Sequence, residues 1–121
     1  MHHDKHVIDA TPEQVHAWLA NGEILLVDVR EANEYAFERI PGALLYPLST
    51  FDPKAIPETE RKLVVQCAGG VRSLRAAQAL VAAGHPHVIN LEGGLNAWKA
   101  AGLPVIRIDP ATGQVVDRGT L

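Results

Sequence analysis

The sequence predicts an α/β domain: a mostly parallel central sheet with helices on both faces. Three observations lead there. Short apolar runs recur at residues 23–29 (EILLVDV), 62–66 (KLVVQ) and 87–91 (HVINL), nearly unbroken, as strands covered on both sides must be. Segments with helical spacing lie between them, and strands alternating with helices imply parallel pairing through crossover connections. Finally, 121 residues with 47% hydrophobic and 21% charged side chains suffice for one domain with its own core.

Val7 and Ile8 open the chain with a short strand. In TPEQVHAWLA (11–20), Thr11 is the N-cap, Pro12 takes the first helical position and Gln14 completes a capping box. Val15, Trp18 and Leu19 share one face of that helix, and Asn21 and Gly22 stop it. Residues 23–29 form the first buried strand. EANEYAFERI (31–40) reads as a short helix ended by Pro41 and Gly42. ALLYPL (43–48) is extended, and its proline makes it irregular or an edge. Residues 51–61, with Pro53 and Pro57, are loop with one helical turn at most. After strand 62–66, a helix runs from about 72 to 83, with Gly84 in the left-handed stop position. Strand 87–91 and a short helix within GGLNAWKAAG (93–102) follow. Residues 105–121 form either a hairpin around 110–113 or a loosely held tail. The expected organisation is one domain over 6–106 and a C-terminal extension over 107–121.

Charge and composition exclude several roles. A net charge of -3 argues against nucleic acid or an anionic membrane as the main partner. No apolar run approaches the roughly 20 residues of a membrane span. The opening MHHDKHVIDA lacks the cationic start and apolar core of a signal peptide, so a cytoplasmic protein is expected. Neither His2, His3 and His6 nor His85 and His87 make a convincing metal site, and no metal or organic cofactor is implied. The one cysteine fits a reducing compartment and leaves no second thiol in the chain to resolve the first.

That cysteine, Cys67, lies where the strand 62–66 ends and a helix is about to begin. In open α/β sheets ligands collect at this edge, and a helix N-terminus favours anions through its unpaired N–H groups. Gly69 and Gly70 leave the loop free to turn successive amides inward as an anion nest, and Arg72 adds a fixed cation. An ordinary thiol is only about 3% ionised at pH 7, and a drop of about two pKa units would make it mostly thiolate. A lone cysteine beside a buried strand also serves simply as a small apolar core residue, and local features alone do not decide between the two.

Three segments decide more. VDVREANEYAFERIPGA (27–43), VVQCAGGVRS (64–73) and NLEGGLNAWKAAGLPV (90–105) occur together in the order found in the rhodanese family, and the chain over about 6–106 resembles a single-domain rhodanese. The resemblance implies the rhodanese-like fold and sulfur transfer. Cys67 matches the nucleophile that takes a sulfane sulfur from a small donor such as thiosulfate, becomes a persulfide, and passes the outer sulfur to cyanide, a thiol or a protein. Ala68, Gly69, Gly70, Val71 and Arg72 match the loop around the persulfide. A terminal persulfide is anionic, so inward amides at a helix end suit it.

Cysteine phosphatases look similar but place the loop arginine six positions after the cysteine; Arg72 follows Cys67 by five. The shorter ring suits sulfur better than a phosphoryl group, and arsenate reduction would need an external thiol. Ala68 and Gly69 depart from thiosulfate-preferring relatives, which often carry basic residues there. The departure leaves the donor open and gives a rival reading: a persulfide carrier or interaction module with little turnover. Asp28 and Arg30, at the end of the strand 23–29, fall on the same sheet edge as Cys67. They either orient the loop and set the entrance potential, or form a structural ion pair. The glycines of LEGGLNAW allow close backbone packing, with Leu95 and Trp98 burying one face.

Overall fold

The computed structural model describes residues 6–118. His2 and His3 of the N-terminal histidine group, and residues 119–121, lie outside them. The central sheet has five strands in the order β1-β6-β5-β2-β4: β1 (Val7–Ala10), β2 (Ile24–Asp28), β4 (Leu44–Leu45), β5 (Lys62–Gln66) and β6 (Val88–Leu91). Every pairing in it is parallel, so the α/β architecture expected from the apolar runs is the one observed.

Side-chain alternation divides the core in two. From β2 and β5, Leu26 and Val64 point to one face, where they meet Val15 of helix α1 (Pro12–Ala20) and Leu95 and Trp98 of helix α4 (Gly94–Ala100). Val27 and Val65 point to the other, against Ala76, Ala77 and Leu80 of helix α3 (Val71–Ala82). Full burial of a side chain such as Leu80 contributes roughly 1.5–3 kcal/mol. The caps are as the residues dictate: Thr11 Oγ1 accepts from Gln14 N at 3.2 Å, and Gln14 Oε1 accepts from Thr11 N at 2.9 Å.

The segment 31–40 departs from the expectation of one helix. Helix α2 (Ala32–Phe37) stops early, and Glu38–Arg39 turn into a two-residue strand, β3. The cause is remote in sequence. Strand β7 (Val105–Ile108) pairs antiparallel with β3 on one side and with β8 (Val115–Arg118) on the other. Residues 105–118 therefore form a hairpin, and with β3 they make a second, three-stranded sheet.

Candidate active site

Strand β5 ends at Gln66 and α3 begins at Val71, so Cys67 opens a four-residue connection at the carboxyl edge of the sheet. Gly70 caps the helix with φ +101°, a left-handed conformation that a side chain would strain. That turn aims its N–H back at the cysteine: Gly70 N donates to Cys67 Sγ at 3.0 Å. The Ser73 hydroxyl lies 3.3 Å from the same sulfur. The first N–H groups of any helix lack partners within it, and those of α3 start beside this sulfur.

Cys67 is only 1% exposed and belongs to the apolar cluster that holds Val65, Ala76 and Ala77, but its sulfur also meets hydrogen-bonding groups. Burial is the largest influence and pushes its pKa up. The Ser73 hydroxyl and the backbone N–H groups of Ser73, Gly70 and Gly69 act the other way and prevail, so the thiol lies below its ordinary value.

Ser73 is itself held by a chain of polar groups, buried at Ser73 and Asn90 and reaching the surface at Asp9, that local sequence reading passes over. Its hydroxyl donates to Asn90 Oδ1 at 2.6 Å, and Asn90 Nδ2 donates to Asp9 Oδ1 at 3.0 Å. Asp9, Asn90 and Ser73 come from β1, β6 and α3. The Asp9 carboxylate, which only accepts, fixes the Asn90 amide with its oxygen toward Ser73.

The rest of the loop lies at the rim. Ala68 and Gly70 are partly covered, and Gly69 and Val71 are exposed. Arg72 does not stand free beside the sulfur as a fixed cation. Its Nη1 and Nη2 donate to Glu34 Oε1 and Oε2 of α2 at 2.8 and 3.0 Å. That bidentate pair, with desolvation opposing it and a hydrogen bond from Glu31 N assisting, lowers the Glu34 pKa to about 2. The Cys67 charge acts on Arg72 more weakly than Glu34 does. Glu34 escapes sequence reading because 38 residues separate it from its partner.

Asp28 and Arg30 are both buried and paired with each other. Arg30 Nη2 donates to Asp28 Oδ2 at 2.7 Å, and Arg30 Nε donates to both carboxylate oxygens. The guanidinium also donates to Glu38 O at 2.6 Å, so the pair ties the end of β2 to the far end of α2. The Asp28 carboxylate accepts its hydrogen bonds from Arg30 rather than from the cysteine loop.

The GlyGly of LEGGLNAW supports the loop from below. Leu95 N donates to Cys67 O at 2.8 Å and Asn96 N to Ala68 O at 3.0 Å. A Cβ on Gly94 would fall 2.4 Å from Cys67 O and 2.6 Å from Ala68 O, so only glycine permits this approach. Glu92 is exposed, and its backbone N–H is spent on Ala10 O.

Among the described residues no three histidine, cysteine, aspartate or glutamate side chains gather as a metal site, and no helix is long and apolar enough to cross a membrane.

A sheet edge, a cysteine loop and a supporting GlyGly helix start in this arrangement define a family. The family model described as the rhodanese-like domain matches residues 11–101, and the chain belongs to that family. A protein described as a sulfurtransferase from Allochromatium vinosum is 38% identical over 86 residues, covering 69% of this chain and 79% of that protein. The uncharacterized protein slr1261 of Synechocystis is 46% identical over 85 residues, and the chain spans only 48% of its length. The rhodanese-like domain of the Anabaena protein Alr3790, solved in solution, superposes with a TM-score of 0.75 at 31% identity, covering 88% of this chain and 86% of that one.

Proposed function

We propose that the protein is a sulfurtransferase whose Cys67 carries sulfur as a persulfide. The observation that carries this reading is the solitary thiol at the start of α3, with Gly70 N–H at 3.0 Å and the Ser73 hydroxyl at 3.3 Å from its sulfur. Those donors favour the thiolate, the attacking form. Cys67 Sγ attacks the outer sulfur of a sulfane donor, the donor's S–S bond breaks, and the leaving group departs with the electron pair. An acceptor nucleophile then takes the outer sulfur and returns the thiolate. Two displacements through one covalent intermediate predict ping-pong kinetics. The loop of Ala68, Gly69, Gly70, Val71 and Arg72 forms the wall around the outer sulfur. The Asp28–Arg30 pair braces the helix that holds Glu34 against Arg72. The partners are a small or protein-borne sulfur donor and a thiol or protein acceptor, and a persulfide carrier of this kind fits a reducing compartment such as the cytoplasm.

Thiocyanate formation from a sulfane donor and cyanide tests the reading. Wild type should turn over and Cys67→Ala should not; equal rates would overturn it. A second reading, a carrier with little turnover, is favoured by the near-complete burial of Cys67. It predicts a stable persulfide on Cys67 with slow discharge to small acceptors, and rapid discharge would remove it. Phosphatase chemistry is disfavoured because both terminal nitrogens of Arg72 are committed to Glu34. Hydrolysis of an aryl phosphate, abolished by Cys67→Ser, would reverse that judgement.

A further inference from the structure

The cation within the cysteine loop is paired off before any donor arrives. Arg72, the loop's own cation, spends both terminal nitrogens on Glu34. With a pKa of about 2, the Glu34 carboxyl stays ionised throughout the neutral range, so the cancellation is permanent there. Arg30 is matched by Asp28. Glu31, which leads into α2, accepts from the Ser49 hydroxyl at 2.6 Å. Ala68 and Gly69 carry no charge, and the groups that lower the Cys67 pKa are a hydroxyl and backbone amides. The thiolate is thus stabilised by neutral dipoles, while the guanidinium of the loop is paired with Glu34.

The rim is apolar. Val71 is 69% exposed and Leu74 39%. Three residues apart on α3, they share one face of its first turn.

We infer that this site takes sulfur from persulfides of organic or protein thiols rather than from dianionic thiosulfate, and that Glu34, by cancelling Arg72, sets that preference. The inference rests on the sulfur-transfer reading and names its donor class. A dianion meeting a thiolate needs a free cation to offset repulsion. A persulfide brings at most one charge on its sulfur end, together with a carbon body that the Val71 and Leu74 face can meet. The step balances without an added oxidant or reductant. The Cys67 thiolate bonds to the outer sulfur of R–S–SH, the old S–S bond breaks, and R–S⁻ leaves to be protonated by water. Cys67–S–SH then holds the transferred sulfur at its original oxidation level.

The test follows sulfur loading onto Cys67 by intact mass in single-turnover reactions with three probes: thiosulfate, benzenethiosulfonate (one charge fewer, with an apolar ring) and cysteine persulfide. Wild type should load from cysteine persulfide and benzenethiosulfonate at least about tenfold faster than from thiosulfate, a typical size for local charge steering. Glu34→Gln keeps an oxygen for Glu31 N but frees the Arg72 charge. It should raise thiosulfate loading by about tenfold, and that gain should fade as added salt screens the freed cation. Loading from benzenethiosulfonate should change much less. Wild type loading from thiosulfate as fast as from the persulfide would overturn the inference without any variant. So would a Glu34→Gln variant whose donor ratio and salt dependence match wild type. Failure to load from all three probes would overturn the sulfur-transfer reading itself, and this inference with it.

Discussion

Removing the Ser73 hydroxyl should raise the Cys67 pKa and slow its chemistry at neutral pH. The hydroxyl has one hydrogen and two acceptors within reach, Asn90 Oδ1 at 2.6 Å and Cys67 Sγ at 3.3 Å. With the thiol protonated, that hydrogen rests on Asn90 and Ser73 Oγ can accept from S–H. When the thiol ionises, the hydroxyl turns and donates to sulfur. A hydrogen bond to a charged partner is worth about 1.5–3 kcal/mol, so its loss should move the ionisation midpoint clearly upward. The Ser73→Ala variant keeps the Ser73 and Gly70 amides, so the thiolate survives but ionises at higher pH. Alkylation by iodoacetamide across pH, or thiolate absorbance in the far ultraviolet, reads the midpoint directly. A midpoint unmoved in Ser73→Ala, or moved down, would refute this account of how the thiolate is held.

Asn90 competes for the same hydrogen, so Asn90→Leu, close in shape, should shift the midpoint down, opposite in sign to Ser73→Ala; alkylation against pH checks it, and an upward shift would contradict the competition. Breaking the buried Asp28–Arg30 pair with Arg30→Met leaves a carboxylate without its partner, at a cost of about 3–5 kcal/mol. Urea melts should show that loss, largely recovered in the double variant with Asp28→Leu. The Glu34 pKa of about 2 lies below its ordinary 4.5, so its ion pair contributes fully above pH 4.5 and is lost as pH falls toward 2. The stability gap between wild type and Glu34→Gln should therefore be widest near neutrality and close in acid; a gap constant with pH would argue against the pair.

Much of the architecture was legible because local chemistry specified it. Thr11 and Gln14 announce a helix start by themselves, and the nearly unbroken apolar runs of β2, β5 and β6 leave little choice but a sheet covered on both faces. The position of Cys67 between such a strand and a helix was readable for the same reason. Features that depend on distant partners were not. Glu38 and Arg39 continue a helical pattern in sequence, and only the arrival of β7 turns them into strand. Arg72 reads as a free cation because nothing within its own segment opposes it; Glu34 lies 38 residues away. Ser73, Asn90 and Asp9 are unremarkable polar residues in three separate segments until the parallel order of β1 and β6 sets them side by side. Asp28 and Arg30, two positions apart, were readable as an ion pair, but the tie from Arg30 to Glu38 needed the path of α2.

Intact-mass analysis of the purified protein, before and after a sulfane donor and then after a reductant, tests the central claim most directly. The account predicts the gain of one sulfur atom on Cys67, lost again on reduction and absent in Cys67→Ala. A thiol that acquires no sulfur from persulfide, thiosulfonate or thiosulfate, while the protein remains folded, would contradict it.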